Sequence, residues 1–478
     1  SLTVFRALTP WAAQYKGSLE ARLSSMFGAP VSIQEMKTSW YWFEPVLKLD
    51  GVQIEQQSDA ILHVQELLVG IDLFRSLWHW RIQPGVLFVE DAALSLDQVN
   101  GEWQLKGLLV PQEATPSLST TEYSTALGWL LAHQKIVMKR VALTLHWQDG
   151  RVTPIKPLSL IASNHAGHYR VKGHASLLGK HPSALALLAD LDMPAGFSSD
   201  VRGQVYLSLD QVDFSEWKTF FATTSYQVQQ GQGELQVWLD MRHAHIVSGQ
   251  AAVRFRNMVW VPKPTDDKLD KQQVLSQKID RFNANIAWDK NPDGWRMIAD
   301  KVRLKANNTT WPENTFAVTY IQETDEYRVF LKTLLLGPAQ ELINYKLKGI
   351  KSWQAMKPTG HLANTQIGFK LGRVNYLLTR FSELSWQAAD NIPGGEHLSG
   401  ALAWEPNEGR LELDGEHVKL RFANKPLLDL ELLNAAIVWK SLSHGLRVSL
   451  DRGIVKHEYG LLTGQGVLDD VSSDSPGT

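Results

Sequence analysis

From residue 31 to residue 468 the apolar side chains of this sequence recur at every second position, and that period constrains the fold more than any other feature. The stretch from Val31 to Leu109 sets the pattern. It reads VSIQEMKTSWYWFEPVLKLDGVQIEQQ, then ILHVQELLVGIDLFRSLWHW, then VLFVEDAALSLDQVNGEWQLKGL. Leu94 and Leu96 alternate with Ser95 and Asp97, and Asn100-Gly101 is a tight-turn pair that leads into Trp103 and Leu105 on a return strand. The same alternation returns at Val141, Leu143, Leu145 and Trp147, at Val205, Leu207 and Leu209, and at Leu235, Val237 and Leu239. It continues through Phe255, Ile286, Val302 and Leu304 to Leu446, Val448 and Leu450.

Few segments depart from this period. Residues 3–27 carry a helical stripe (Val4, Leu8, Trp11, Tyr15, Leu19, Leu23) that Gly28 and Pro30 stop. Short helices are predicted near 123–133, near 214–221 and over Leu334 to Tyr345, where Gly337-Pro338 interrupts the pattern. Residues 262–278 are charged and Pro-containing and read as an exposed loop, while 469–478 form a polar end. The expected organisation is an N-terminal helix (1–30), a first β segment (31–261), the loop (262–278) and a second β segment (279–468).

A strand with one apolar face must bury it. Roughly twenty strands against three or four short helices leave too little helix to cover a sheet whose strands lie about 4.8 Å apart. Three solutions remain: sheets packed as sandwiches, a closed barrel, or a curled open sheet whose apolar lining holds something else. Charged residues on the polar faces place water outside, and the interspersed helices disfavour a membrane barrel.

Composition narrows function mainly by exclusion. The net charge of −2 argues against a nucleic-acid partner. The absence of cysteine removes disulfides, thiolate metal sites and Cys nucleophiles together. The sequence contains no P-loop, GxSxG elbow or HExxH, so neither an enzyme nor a cofactor is expected. His243 and His245 share a strand face, as metal ligands would, but without a third ligand nearby they read as solvent-facing strand residues. The 18 tryptophans are the unusual feature, and many of them fall at strand ends, where they suit core packing or the rim of an apolar groove.

Two groups of residues follow as candidate sites. Leu94, Leu96, Leu143, Leu145, Leu207, Leu209, Val237, Leu239, Phe255, Ile286 and Leu304 are expected to line an apolar face. Trp40, Trp42, Trp78 and Trp80 form a Trp-rich edge that suits the rim of an apolar groove or the seal at the end of a core.

GAPVSIQEMKTSWYWFEPVLKLDGVQI and the strands behind it resemble the N-terminal module of AsmA-like proteins, most of all the YhdP family of Gram-negative bacteria. GQVYLSLDQVDFSEW, GQGELQVWLD and FSELSWQAADNIPGGEHLSGALAWEPNEGRLELDGEHVKLRF agree with it in order, over most of the chain. The resemblance implies an elongated repeating β-groove, curled and taco-like, with an apolar channel. It also implies a protein anchored in the inner membrane by a helix that precedes Ser1, projecting into the periplasm. Phospholipids, the inner membrane and the outer membrane would then be its partners, with acyl chains conducted between the two membranes. On the resemblance the Trp-rich edge at Trp40, Trp42, Trp78 and Trp80 is where lipid would enter, and the alternative function is a periplasmic β-sandwich scaffold without lipid cargo.

Overall fold

The computed structural model describes residues 16–21, 23, 24, 30–41, 44–56, 59–72, 75, 76, 78, 80, 84–99, 102–105, 133–148, 150, 152–177, 183–193, 200–215, 226–243, 245–262, 277–343, 355–389, 392–422, 426–442 and 445–469. The helix expected near 123–132 lies outside these residues, as do residues 216–221 of the helix near 214 and Trp42. His133 forms a bend, and Phe214 and Ser215 form a turn.

The chain divides into two compact units, residues 1–252 with 262–268, and residues 253–261 with 269–478. The first holds β1 (Val31–Tyr41), β2 (Glu44–Gln56), β3 (Asp59–Ile71), β4 (Pro84–Val99), β5 (Glu102–Leu105), β6 (Lys135–His146), β7 (Val152–His165), β8 (His168–Leu177), β9 (Ser183–Asp192), β10 (Arg202–Asp213) and β11 (Tyr226–Arg242). Residues of β12 (His245–Pro262) belong to both units. The second holds β13 (Gln277–Asn291), β14 (Gly294–Ala306), β15 (Thr309–Thr310), β16 (Asn314–Ile321), β17 (Glu326–Leu335), α1 (Leu336–Ile343), β18 (Thr359–Lys370), β19 (Arg373–Trp386), β20 (Gly394–Glu405), β21 (Glu408–Arg421), β22 (Leu428–Leu442), β23 (Gly445–His457) and β24 (Gly460–Leu468). The architecture is mainly β, open and poor in helix, as the alternation predicts. Gly337-Pro338 does not prevent α1, because a proline in the first turn loses no intrahelical hydrogen bond.

Neighbouring strands pair antiparallel, and among the described pairs one is parallel: β4 with β6, from Val86–Lys135 to Asp97–His146. The first unit therefore runs β1-β2-β3-β4-β6-β7-β8-β9-β10-β11, with β5 paired to the end of β4. β1 is its first strand, and an unpaired strand edge invites association with other chains. Here helical residues 16–21, 23 and 24 lie along it. Val31 N–H donates to Ser24 Oγ at 2.8 Å, and Ile33 N–H donates to Glu20 Oε1 at 2.8 Å. Leu19 and Leu23 of this segment pack on the core formed by Ile33, Leu49, Val52, Ile54, Val64 and Val141.

Several strands carry residues in the left-handed region, and register shifts of the β-bulge kind accompany those at Arg140, Asn364, Glu383, His397 and His417. Gly51, Asp91 and Arg140 in the first unit, and Asn364, Glu383, His397 and His417 in the second, have φ between 50° and 63°. Each such residue shifts the parity of its strand, so Leu49 and Val52, Val89 and Ala92, and Met138 and Val141 all reach one core across three-residue steps. A bulge leaves an amide unpaired, and serines on adjacent strands take it up. Glu383 N–H donates to Ser399 Oγ at 3.3 Å, His397 N–H to Ser385 Oγ at 3.0 Å, and Arg140 N–H to Ser159 Oγ at 3.5 Å. The side chains of these left-handed residues also pair with one another, Arg140 with Asp91 at 2.7 and 2.8 Å and His397 with Glu383 at 2.7 Å.

The sheet is not apolar on one face throughout, because Val46, Leu68, Val86, Phe88 and Val137 form a second buried cluster. Leu68, Phe88 and Val137 sit directly across from one another and one position off Leu67, Val89 and Met138, which face the other side. Central strands β3, β4 and β6 are thus apolar on both faces at that end, the pattern of strands covered on both sides.

Candidate functional site

The strand register assembles the apolar residues into rows that cross the sheet. In the first unit one row runs Met36, Leu49, Leu67, Val89, Met138, Leu160, Gly173, Leu187, Leu207, Val237, each directly opposite the next. The adjacent row runs Leu47, Val69, Leu87, Ile136, Ala162, Val171, Ala189, Val205, Leu239. Neither contains a charged or polar side chain.

Burial changes along these rows. At the β1 end the face is a dry core under Leu19 and Leu23, with Leu49 at 2% exposure and Val141 at 0%. On the first row Met36 and Leu49 are buried, while Leu67, Val89, Met138, Leu160, Leu187, Leu207 and Val237 are only half-buried. A sandwich would cover the inward residues of central strands completely. Here a continuous apolar surface stays partly open to water.

The second unit repeats the arrangement. A row of eleven residues on eleven strands runs Trp288, Met297, Val318, Val329, Ile367, Leu377, Trp404, Gly409, Trp439, Val448, Leu468. Gly409 is required there, since the Trp439 indole lies where its Cβ would stand. On the neighbouring row Ile286, Ala299, Phe316 and Leu331 lead to Thr365, and Leu402, Leu411, Ile437 and Leu450 follow Thr379. The two threonines are buried and bond each other at 2.8 Å, which satisfies the hydroxyls on that row.

The residues singled out from the sequence fall on these faces. Leu207, Leu209, Val237 and Leu239 lie within or beside the first unit's rows, and Leu94, Leu96, Leu143 and Leu145 pair with one another beyond the left-handed residues Asp91 and Arg140. In the second unit Ile286 is on a row, Leu304 is opposite Phe282, and Phe255 stacks on Phe282 at 5.9 Å. All eleven are half-buried. Leu160, Leu187, Met297 and Phe316 belong to the same faces and were not singled out; strand pairing, not local spacing, is what aligns them. Of the Trp-rich edge, Trp40 is 41% exposed at the end of β1, and Trp78 and Trp80 are each 85% exposed. Trp78 is in, and Trp80 just after, a helical turn at whose start Asp72 Oδ1 accepts from Arg75 N–H at 3.0 Å.

The opposite face of β7–β11 has a recess of about 710 Å³ beside Ile161, Leu188, Tyr206 and Trp238. Arg170, Lys172, Asp190 and Asp240 interrupt it, so it offers no continuous apolar path. His243 Nδ1 is 3.1 Å from Asp200, and no group of three or more potential metal ligands occurs among the described residues. No helix among them is long and apolar enough to cross a membrane.

The sequence matches the profile described as YhdP protein over residues 1–465. The chain belongs to the YhdP family. It is 21% identical over 472 residues to the Escherichia coli (strain K12) protein named intermembrane phospholipid transporter YhdP. That alignment covers 93% of this chain and 35% of the relative, so the chain spans well under half the relative's length. No solved structure matches.

Proposed function

We propose that this chain is a phospholipid-conducting segment of an intermembrane transfer protein, binding acyl chains along its apolar rows while headgroups remain in water. The carrying observation is the uninterrupted apolar row from Leu160 to Val237, aligned strand to strand yet only half-buried. Each methylene removed from water contributes about 0.8 kcal/mol, so two acyl chains are held firmly without a specific pocket. A lining of similar side chains at each strand gives similar energy at each step, which keeps barriers to sliding small. No residue of this chain has to perform chemistry, and no cofactor is called for.

On this reading the segment works in the periplasm, in a protein anchored in the inner membrane that delivers lipid toward the outer membrane. The relative's name supports the intermembrane role. Trp78 and Trp80 suit a membrane-facing edge, because indoles favour the headgroup region of a bilayer. The half-buried rows weigh against a dry sandwich scaffold.

Native mass spectrometry of the purified chain tests the proposal. Copurifying phospholipid, together with labelling by photo-crosslinkers placed at Leu207 or Leu239, is the expected result. A lipid-free chain that also fails to label at both positions would overturn it.

A further inference from the structure

The tight-turn end of β13 to β17 carries three aromatic rings on the same face as the second unit's apolar rows. Trp295 lies opposite Tyr320, and Tyr320 opposite Tyr327. Ring centroids are 4.7 Å apart for Tyr320–Tyr327, 6.2 Å for Trp295–Tyr320 and 6.3 Å for Trp295–Tyr327. Burial does not explain the cluster, since Trp295 and Tyr327 remain 37% and 41% exposed. Charges of both signs flank it. Tyr320 donates its hydroxyl hydrogen to Asp325 Oδ1 at 3.3 Å, and Lys290 stands directly opposite Trp295, its Cβ about 5 Å away.

We propose that this corner is a headgroup subsite for a zwitterionic aminophospholipid. Aromatic faces attract a cationic ammonium, and a carboxylate at their edge adds to that attraction. Lys290 supplies the complementary charge for the phosphate. One level deeper, Met297, Val318 and Val329 begin the apolar surface, so a headgroup held here sends its acyl chains straight onto that face. An anionic headgroup without an amine meets Lys290 but gains nothing from the rings and is repelled by Asp325. The inference rests on the lipid-binding reading above and adds a headgroup preference to it.

The test loads the whole chain from vesicles holding equal amounts of palmitoyl-oleoyl phosphatidylethanolamine and phosphatidylglycerol, re-isolates it, and counts bound lipid by native mass spectrometry. The wild-type chain is expected to enrich phosphatidylethanolamine about fivefold, the ratio that corresponds to one exposed cation–π contact. Asp325→Asn and Tyr327→Ala are each expected to bring that ratio close to one with total lipid unchanged. Asp325 has φ +49°, a conformation that asparagine also tolerates, so Asp325→Asn leaves the turn intact. Lipid bound without headgroup preference, or a preference untouched by both substitutions, overturns the subsite and leaves the groove reading standing. A wild-type chain that takes up no lipid overturns both.

Discussion

Leu207→Asp places one charge in the middle of the first unit's apolar row. Leu207 is half-buried between Leu187 and Val237. In the lipid-free chain the substitution forfeits most of a leucine's burial, or about 2 kcal/mol. That shifts melting by roughly 4–8 °C in a unit of this size. With lipid bound the loss is larger. An acyl chain crossing strands about 4.8 Å apart lays about four methylenes over each one, worth about 3 kcal/mol at 0.8 kcal/mol apiece. Losing one crossing therefore weakens lipid binding roughly hundredfold. The assay is titration of the purified variant with a fluorescent phospholipid, with circular dichroism to establish that it is folded. Lys172→Glu, on the opposite face of β8, serves as the control and is expected to change binding less than about twofold. A folded Leu207→Asp chain that binds as the wild type does, or a control that is equally impaired, would refute the placement of lipid on this row.

Other expectations concern what holds the sheet in shape. Val141→Ala, in the fully buried core at the β1 end, is expected to cost about 2 kcal/mol, read as a lowered denaturant midpoint. Glu20→Ala removes the acceptor for Ile33 N–H and is expected to cost about 1–2 kcal/mol and to expose the β1 edge, detected as self-association in sedimentation. Glu326 is held below its ordinary value of 4.5, first by its hydrogen bonds from Arg328 at 3.0 and 3.3 Å, against the opposing effect of burial. Its folded value is the lower one, so its stabilisation is complete above the ordinary carboxylate range and is lost as pH falls through the depressed value. Thermal melts between pH 6 and pH 3 are expected to show a shallower acid loss in Glu326→Gln than in the wild type.

The alternation of apolar residues made the open β architecture legible because a period of two has one structural meaning. The bulges were harder to read. Val86-Leu87-Phe88-Val89 looks like a continuous apolar run, and only the structure shows Leu87 and Val89 on one face and Val86 and Phe88 in the second buried cluster. Nothing local marks Asp91 and Arg140 as the residues that shift parity, because the signal is a left-handed φ shared by neighbouring strands. The aromatic corner escaped for a related reason. Trp295, Tyr320 and Tyr327 come from three strands and meet only through register. The parallel pairing of β4 with β6 was likewise invisible, since alternation carries no direction.

The most direct test of lipid conduction on these rows is crosslinking with a phospholipid that carries a photoreactive group in its acyl chain, followed by peptide mapping of the labelled sites. Labels are expected at Leu160, Leu187, Leu207 and Val237 in the first unit and at Met297, Phe316 and Leu402 in the second, with the opposite-face residues Lys172, Leu188 and Arg410 unlabelled. Labels concentrated on Leu188, Tyr206 and Trp238, with the apolar rows bare, would contradict lipid conduction on these rows.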